Sequence, residues 1–143
     1  MANILLVDDD VLIARIFSRY LSNSGHKIET SFDGREALDK LVQTNFDLVL
    51  TDNSMPRLSG TRLIGITKGL PENRRGDYVD IYFQEDLERY QSFLDCYSKV
   101  PFVLLSMDTE MEELAKKVEA AEFICKKQIQ SRANLLEIVG RYV

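Results

Sequence analysis

Residues 47–56 read Asp47-Leu48-Val49-Leu50-Thr51-Asp52-Asn53-Ser54-Met55-Pro56. Leu48–Leu50 is a short, β-rich apolar run ending in an acid, and similar runs recur at Ile4–Val7, Phe102–Leu105 and Phe123–Cys125. Continuous apolar character marks strands covered on both faces of a parallel sheet, which requires helices between them. Lys27–Phe32 alternates instead, with Ile28, Thr30 and Phe32 opposite Lys27, Glu29 and Ser31, as suits a half-exposed edge strand. The expectation is five strands.

Helical spacing fills the gaps. Leu12, Ile13, Ile16, Phe17, Tyr20 and Leu21 recur at helical intervals, and Gly25 follows where a helix can stop. Asp33 with Glu36 reads as a capping box ahead of Ala37, Leu38, Leu41 and Val42, and Thr109 with Glu112 as another, ahead of an apolar face of Met111, Leu114, Ala115 and Val118. Ser131 is the expected cap of a last helix that turns Leu135, Ile138, Val139 and Tyr142 inward. Strands alternating with helices predict a doubly wound α/β sandwich with right-handed crossovers.

Spacing breaks in one place. Ser106 to Lys126 spans 20 positions, whereas Asp52 to Ser106 spans 54 for what should be a similar crossover. A single domain over 1–143 is therefore expected to carry an insertion within 69–99, between the third and fourth strands. Pro71, Asn73 and Gly76 bring turn chemistry, Tyr78 to Phe83 fits either period, and Leu87, Tyr90, Leu94 and Tyr97 read as an amphipathic helix.

Composition narrows the function classes. With 45% hydrophobic and 29% charged residues and no low-complexity tract, the chain is of the soluble globular type. Lys and Arg total 18 against 23 Asp and Glu, so the basic excess that a nucleic-acid backbone demands is missing and no such partner is expected. The absence of a long apolar span or leader pattern points to a cytoplasmic protein with no membrane partner. Cys96 and Cys125 read as packing residues, His26 as a surface residue, and Arg74-Arg75 and Lys116-Lys117 as solvated charges.

In a parallel α/β sheet the ligand site lies beyond the carboxyl ends of the strands. Here the first strand ends in Asp8-Asp9-Asp10, the third in Asp52, the fourth in Ser106 and the fifth in Lys126. Clustered carboxylates stay ionised most easily around a hard cation, and oxygen ligands suit Mg²⁺. One carboxylate could then attack phosphorus while the cation, a hydroxyl and an ammonium neutralise the transferring oxygens. The blander reading is a solvated strand end.

The stretches Ile4-Leu5-Leu6-Val7-Asp8-Asp9-Asp10, Asp47 to Pro56 with Gly60, Phe102-Val103-Leu104-Leu105-Ser106 and Phe123-Ile124-Cys125-Lys126 together resemble the receiver domains of bacterial response regulators, over nearly the whole chain outside the insertion. The resemblance implies a flavodoxin-like strand order 2-1-3-4-5. It implies Asp52 as phosphoacceptor, Mg²⁺ as cofactor, and Asp8, Asp9, Asp52 and the Ser54 backbone carbonyl as its ligands, with Asp10 just outside. Ser106 would bind a phosphoryl oxygen, Lys126 would pair with the same group, and Phe123 would be the aromatic switch, though a plain core aromatic is its simpler role. Ser54 and Asp108 fall at positions that tune dephosphorylation, Asp108 being equally suited to a helix cap.

The same resemblance implies a sensor histidine kinase or phosphotransfer protein as donor, small acyl phosphates as substitutes, and no enzymatic role beyond the chain's own phosphoryl transfer and dephosphorylation. A stand-alone receiver would signal to a downstream protein target by contact, through the face of the helix before the fifth strand, that strand and the last helix. Two departures stand out. Lys127 replaces the proline that usually follows the lysine, commonly after a cis bond that costs about 2.5–4 kcal/mol before other residues. Met107 replaces a small residue, which predicts slow turnover and a faster-dephosphorylating Met107→Ala protein.

Tyr78, Tyr82, Phe83, Tyr90, Phe93 and Tyr97 concentrate aromatics in the insertion, which suggests a partner or dimer contact there against the alternative of a tolerated surface elaboration. Rival functions are a phosphate-independent receiver-like interaction module and a haloacid-dehalogenase-type enzyme, which wants a second Asp where this chain has Ser54.

Overall fold

A computed structural model describes residues 1–70, 83 and 86–143. Five strands form, β1 (Asn3–Val7), β2 (Lys27–Ser31), β3 (Leu48–Asp52), β4 (Phe102–Ser106) and β5 (Glu122–Cys125), all paired in parallel in the order β2-β1-β3-β4-β5. Among the described residues the helices are α1 (Val11–Ser22), α2 (Gly34–Gln43), α3 (Gly60–Lys68), α4 (Leu87–Tyr97), α5 (Met111–Lys117) and α6 (Arg132–Gly140). This is the expected doubly wound sheet, with winding reversed between β1 and β3, so that a crevice opens at their carboxyl ends.

Strand periodicity divides the core in two. Leu5, Val7, Val49, Phe102 and Leu104 enter the layer under α2, α3, α4 and α5. Ile4, Leu6, Leu48, Leu50, Val103, Leu105 and Ile124 enter the layer under α1 and α6. Register then aligns the rim, with Val7 beside Thr51, Asp52 beside Leu105, and Ser106 beside Cys125.

Several local expectations are corrected. In α1 the core face is Ala14, Phe17 and Leu21, while Leu12 and Ile16 stay exposed. β2 is the expected edge strand, but it ends at Ser31, which is fully buried, and Phe32 beyond it points to solvent. Once Asp8 N–H takes the Ser31 carbonyl at 3.0 Å the ladder is complete, and alternation no longer governs the next residue. The Thr109–Glu112 box does not form. Instead α5 opens after Glu110 with no side-chain cap, and Asp108 Oδ1 accepts from Glu110 N–H at 2.9 Å. Cys96 is exposed rather than packed. Asp33 and Ser131 cap α2 and α6 as expected.

The β3–β4 crossover carries the extra helix. Tyr78 to Tyr82 lie outside the described residues, but α4 forms where the spacing placed it, with Tyr90, Phe93 and Tyr97 buried and Leu87 exposed. Phe83, Phe93, Tyr97 and Phe102 make a continuous ring chain with centroids 5.1, 5.1 and 6.2 Å apart. Tyr90 O–H donates to the Ile66 carbonyl of α3 at 2.9 Å, and Tyr97 O–H reaches the Leu41 and Thr44 carbonyls at the end of α2, at 2.8 and 2.6 Å. Those carbonyls belong to a helix terminus that has no intrahelical donor left for them. The described aromatics are thus core and docking residues, not the exposed contact surface that their number suggested.

Candidate functional site

β1 delivers Asp8 fully buried, followed by Asp9 and Asp10 in the open. Asp10 acts locally. Its Oδ1 caps α1, accepting from Leu12 and Ile13 N–H at 3.0 and 3.2 Å, while its own N–H donates to Asp8 Oδ1 at 2.9 Å. β3 delivers Asp52, 6% exposed. Carboxylate oxygens of Asp8, Asp9 and Asp52 lie within 4.8 Å of one another.

Lys126 completes the cluster. It begins a one-turn 3₁₀ segment, Lys126–Gln128, directly after β5, and its Nζ stands 2.7 Å from Asp8 Oδ2 and 3.0 Å from Asp52 Oδ1. No cis peptide occurs among the described residues, and with Lys127 in the proline position the lysine still reaches both acids. Apart from that ammonium, Asp8 Oδ2 has no hydrogen-bond donor among the described residues.

Two carboxylates around one ammonium leave negative charge in a dry place. Burial pushes the Asp52 carboxyl up; Lys126 pulls it down and the Asp8 charge adds to the rise, with a net upward shift. For Lys126, burial lowers the ammonium, but the hydrogen bonds and charges of Asp8 and Asp52 outweigh it and raise it. Such a set is suited to accept a hard cation, since all its donors are oxygens and one buried oxygen has a single partner.

The loop after β3 is shaped by Gly60. A Cβ there would meet the Asp52 carbonyl oxygen at 2.0 Å, so only glycine lets α3 start against Asp52. Asn53 organises the same loop through its carbonyl, which accepts from Met55 and Gly60 N–H at 3.0 and 3.1 Å, and through its side chain, whose Oδ1 accepts from Thr61 N–H at 3.1 Å. That bond leaves the amide Nδ2 aimed at Met111 Sδ, 3.0 Å away at the start of α5. Ser54 is exposed within this loop.

Ser106 is 3% exposed and its Oγ accepts from Asp108 N–H at 3.0 Å. Met107 and Asp108 are exposed. Phe123 is half-buried against the same core cluster that Met55 and Met111 touch. The structure therefore brings Asp8, Asp9, Asp52 and Lys126 together, and sets Ser106 one register step beyond Asp52.

Sequence reasoning missed Asp33 and Arg57 as a pair, and Asn53 and Met111 as a contact. Burial pushes the Asp33 carboxyl up, but the Glu36 amide and the Arg57 guanidinium outweigh it and hold it below the ordinary carboxylate range. The only sequence signal at Asp33 was its role as a helix cap.

The carboxylates and the lysine thus cluster at the carboxyl rim of a flavodoxin-like parallel sheet, an arrangement chemically suited to a cation and an anion together. The response regulator receiver domain family matches residues 4–73. Response regulator ArlR of Staphylococcus saprophyticus is 26% identical over 140 residues, covering 98% of this chain and 59% of ArlR. Transcription factor SKN7 of Chaetomium thermophilum is 33% identical over 92 residues, covering 57% of this chain and 12% of its own. The chain thus spans less than two thirds of these curated relatives. Among solved structures, chemotaxis protein CheY4 of Vibrio cholerae has a TM-score of 0.75 at 28% identity, covering 100% of this chain and 99% of that one. The response-regulator receiver family is thus what residues 4–73 match and what the whole chain resembles in sequence and fold.

Proposed function

We propose that this receiver domain is the phosphoryl-accepting switch of a two-component system, with Asp52 as acceptor. The carrying observation is the Lys126 ammonium held between Asp8 Oδ2 and Asp52 Oδ1 beside the exposed Asp9 carboxylate. In the transfer, an Asp52 carboxylate oxygen forms the bond to phosphorus as the nitrogen–phosphorus bond of a phosphohistidine breaks, and the imidazole leaves to take up a proton. Lys126 neutralises the transferred oxygens, and Ser106 donates to one of them in place of its present contact with Asp108 N–H. Asp8, Asp9, Asp52 and the Ser54 carbonyl would hold Mg²⁺, which when bound supplies positive charge to the same oxygens.

The donor class is a sensor histidine kinase or phosphotransfer protein, with small acyl phosphates as substitutes, and the chain catalyses only its own phosphoryl transfer and dephosphorylation. About two negative charges added at the rim bias the β4–α5 segment, and a downstream protein reads the change at the face of α5, β5 and α6. No helix of the described residues is long and apolar enough to cross a membrane, which accords with a cytoplasmic signalling role.

The test is intact-mass analysis after incubation with acetyl phosphate, with and without Mg²⁺, beside Asp52→Ala. A Mg²⁺-dependent gain of one phosphoryl group, absent in Asp52→Ala, is expected. No gain from acetyl phosphate or a phosphohistidine donor would instead identify a phosphate-independent interaction module.

A further inference from the structure

Asp33 opens α2 and does two things at once. Its Oδ1 accepts from Glu36 N–H at 2.8 Å as the helix cap, and its Oδ2 is paired with the Arg57 guanidinium. Arg57 belongs to the β3–α3 loop, which also carries Ser54. It holds φ at 66°, in the left-handed region that a residue with a Cβ rarely adopts. A second contact joins the same two loops, because a Cβ at Gly34 would meet the Leu58 carbonyl oxygen at 2.2 Å. The Ser54 loop is therefore closed at its base on the Asn53 carbonyl and fixed at its tip to the first turn of α2.

A side-chain ligand can adjust its rotamer to a cation, but a backbone carbonyl points wherever its loop points. An unfavourable backbone conformation persists only where the surroundings over-determine it, and here the Asp33 carboxylate and the buried Leu58 do so on either side of Arg57. Resting on the Mg²⁺ reading above, we propose that Asp33 and Arg57 are positioning residues for the cation, holding the Ser54 loop in its ligating conformation without touching the metal. Groups that orient metal ligands from behind are worth about 10–100-fold in metal affinity. Acting through one ligand's backbone, this pair belongs at the lower end, about tenfold.

The experiment is calorimetric titration of Mg²⁺ into the metal-free chain, for wild type, Asp33→Asn, Arg57→Ala, Arg57→Lys and the Asp33→Asn/Arg57→Ala double variant, with thermal melting of each. Asn caps a helix as well as Asp does, so Asp33→Asn keeps α2 and its melting while its Mg²⁺ Kd rises about tenfold. Arg57→Ala weakens binding to the same degree, Arg57→Lys recovers part of it, and the double variant is no worse than either single change because the pair acts as a unit. Acetyl phosphate labelling falls in the variants at low Mg²⁺ and returns when Mg²⁺ is raised by the same factor. An unchanged Kd in both Asp33→Asn and Arg57→Ala overturns the positioning role and leaves the phosphoacceptor reading standing. A wild-type chain that binds no Mg²⁺ overturns both.

Discussion

At the carboxyl end of the sheet, the Asp8, Asp52 and Lys126 side chains are 1%, 9% and 8% exposed and the acids outnumber their counter-charge. At the amino end, the aromatic chain from Phe83 to Phe102 is buried, and its two described phenols place their hydroxyls on carbonyls of α2 and α3. The first arrangement is poor for stability, since buried like charges and singly partnered oxygens favour unfolding unless a ligand arrives. The second is good for stability, with both described phenol hydroxyls already committed to backbone carbonyls. The crossover that lengthens this chain has thus added apolar support far from the rim, while the rim keeps its uncompensated acids.

The sharpest way to break that contrast is Phe93→Ala. Truncating a buried aromatic costs about 3–5 kcal/mol, so urea unfolding should show a loss of that size. Labelling of Asp52 per folded molecule should stay at the wild-type level. A large fall in labelling of folded protein would show that the two ends are coupled.

Gly60→Ala probes the opposite end by crowding. A methyl group 2.0 Å from the Asp52 carbonyl must displace β3 or α3, at about 1–3 kcal/mol. Labelling by acetyl phosphate should fall well below wild type although every polar group is retained. Stability loss with full labelling would mean that α3 yields rather than Asp52.

Asp52→Asn should move stability the other way. Removing one of two buried carboxylates around Lys126 should raise the metal-free unfolding free energy by about 1 kcal/mol and abolish the rise expected when Mg²⁺ is added to wild type. A lower melting point without metal would show that the Lys126 pair, not the repulsion, dominates.

The smallest effect concerns pH. Asp33 has a folded pKa below its ordinary value of 3.8, so its contribution is present above that value and is lost as pH falls through the lowered folded value. Its partner Arg57 is largely exposed, which limits the effect to about 0.5 kcal/mol. Acid unfolding followed by circular dichroism should find this increment in wild type and not in Asp33→Asn.

Much of this was legible in the sequence because strand ends are fixed by where apolar runs stop. Asp8, Asp52, Ser106 and Lys126 could be assigned to one rim on that ground, and the resemblance supplied the strand order that makes them neighbours. What the sequence hid depends on which surface covers which. Leu12 and Ile16 carry a helical apolar pattern yet face solvent, since nothing among the described residues packs over that side of α1. The aromatics of α4 looked like a contact surface because spacing alone does not reveal that α2 and α3 lie beneath them. Asp33 and Arg57 are 24 residues apart and meet only because the loops after β2 and β3, the two strands that flank β1, leave the sheet at the same end.

The most direct measurement is the position of the label itself. After acetyl phosphate and Mg²⁺, an acyl phosphate can be reduced with borohydride, converting the phosphorylated aspartate to homoserine, and the peptides mapped by mass. Homoserine at position 52 alone is the expected result. Homoserine at Asp8 or Asp9, or at no position in protein shown to be folded, would contradict the assignment of Asp52 as acceptor.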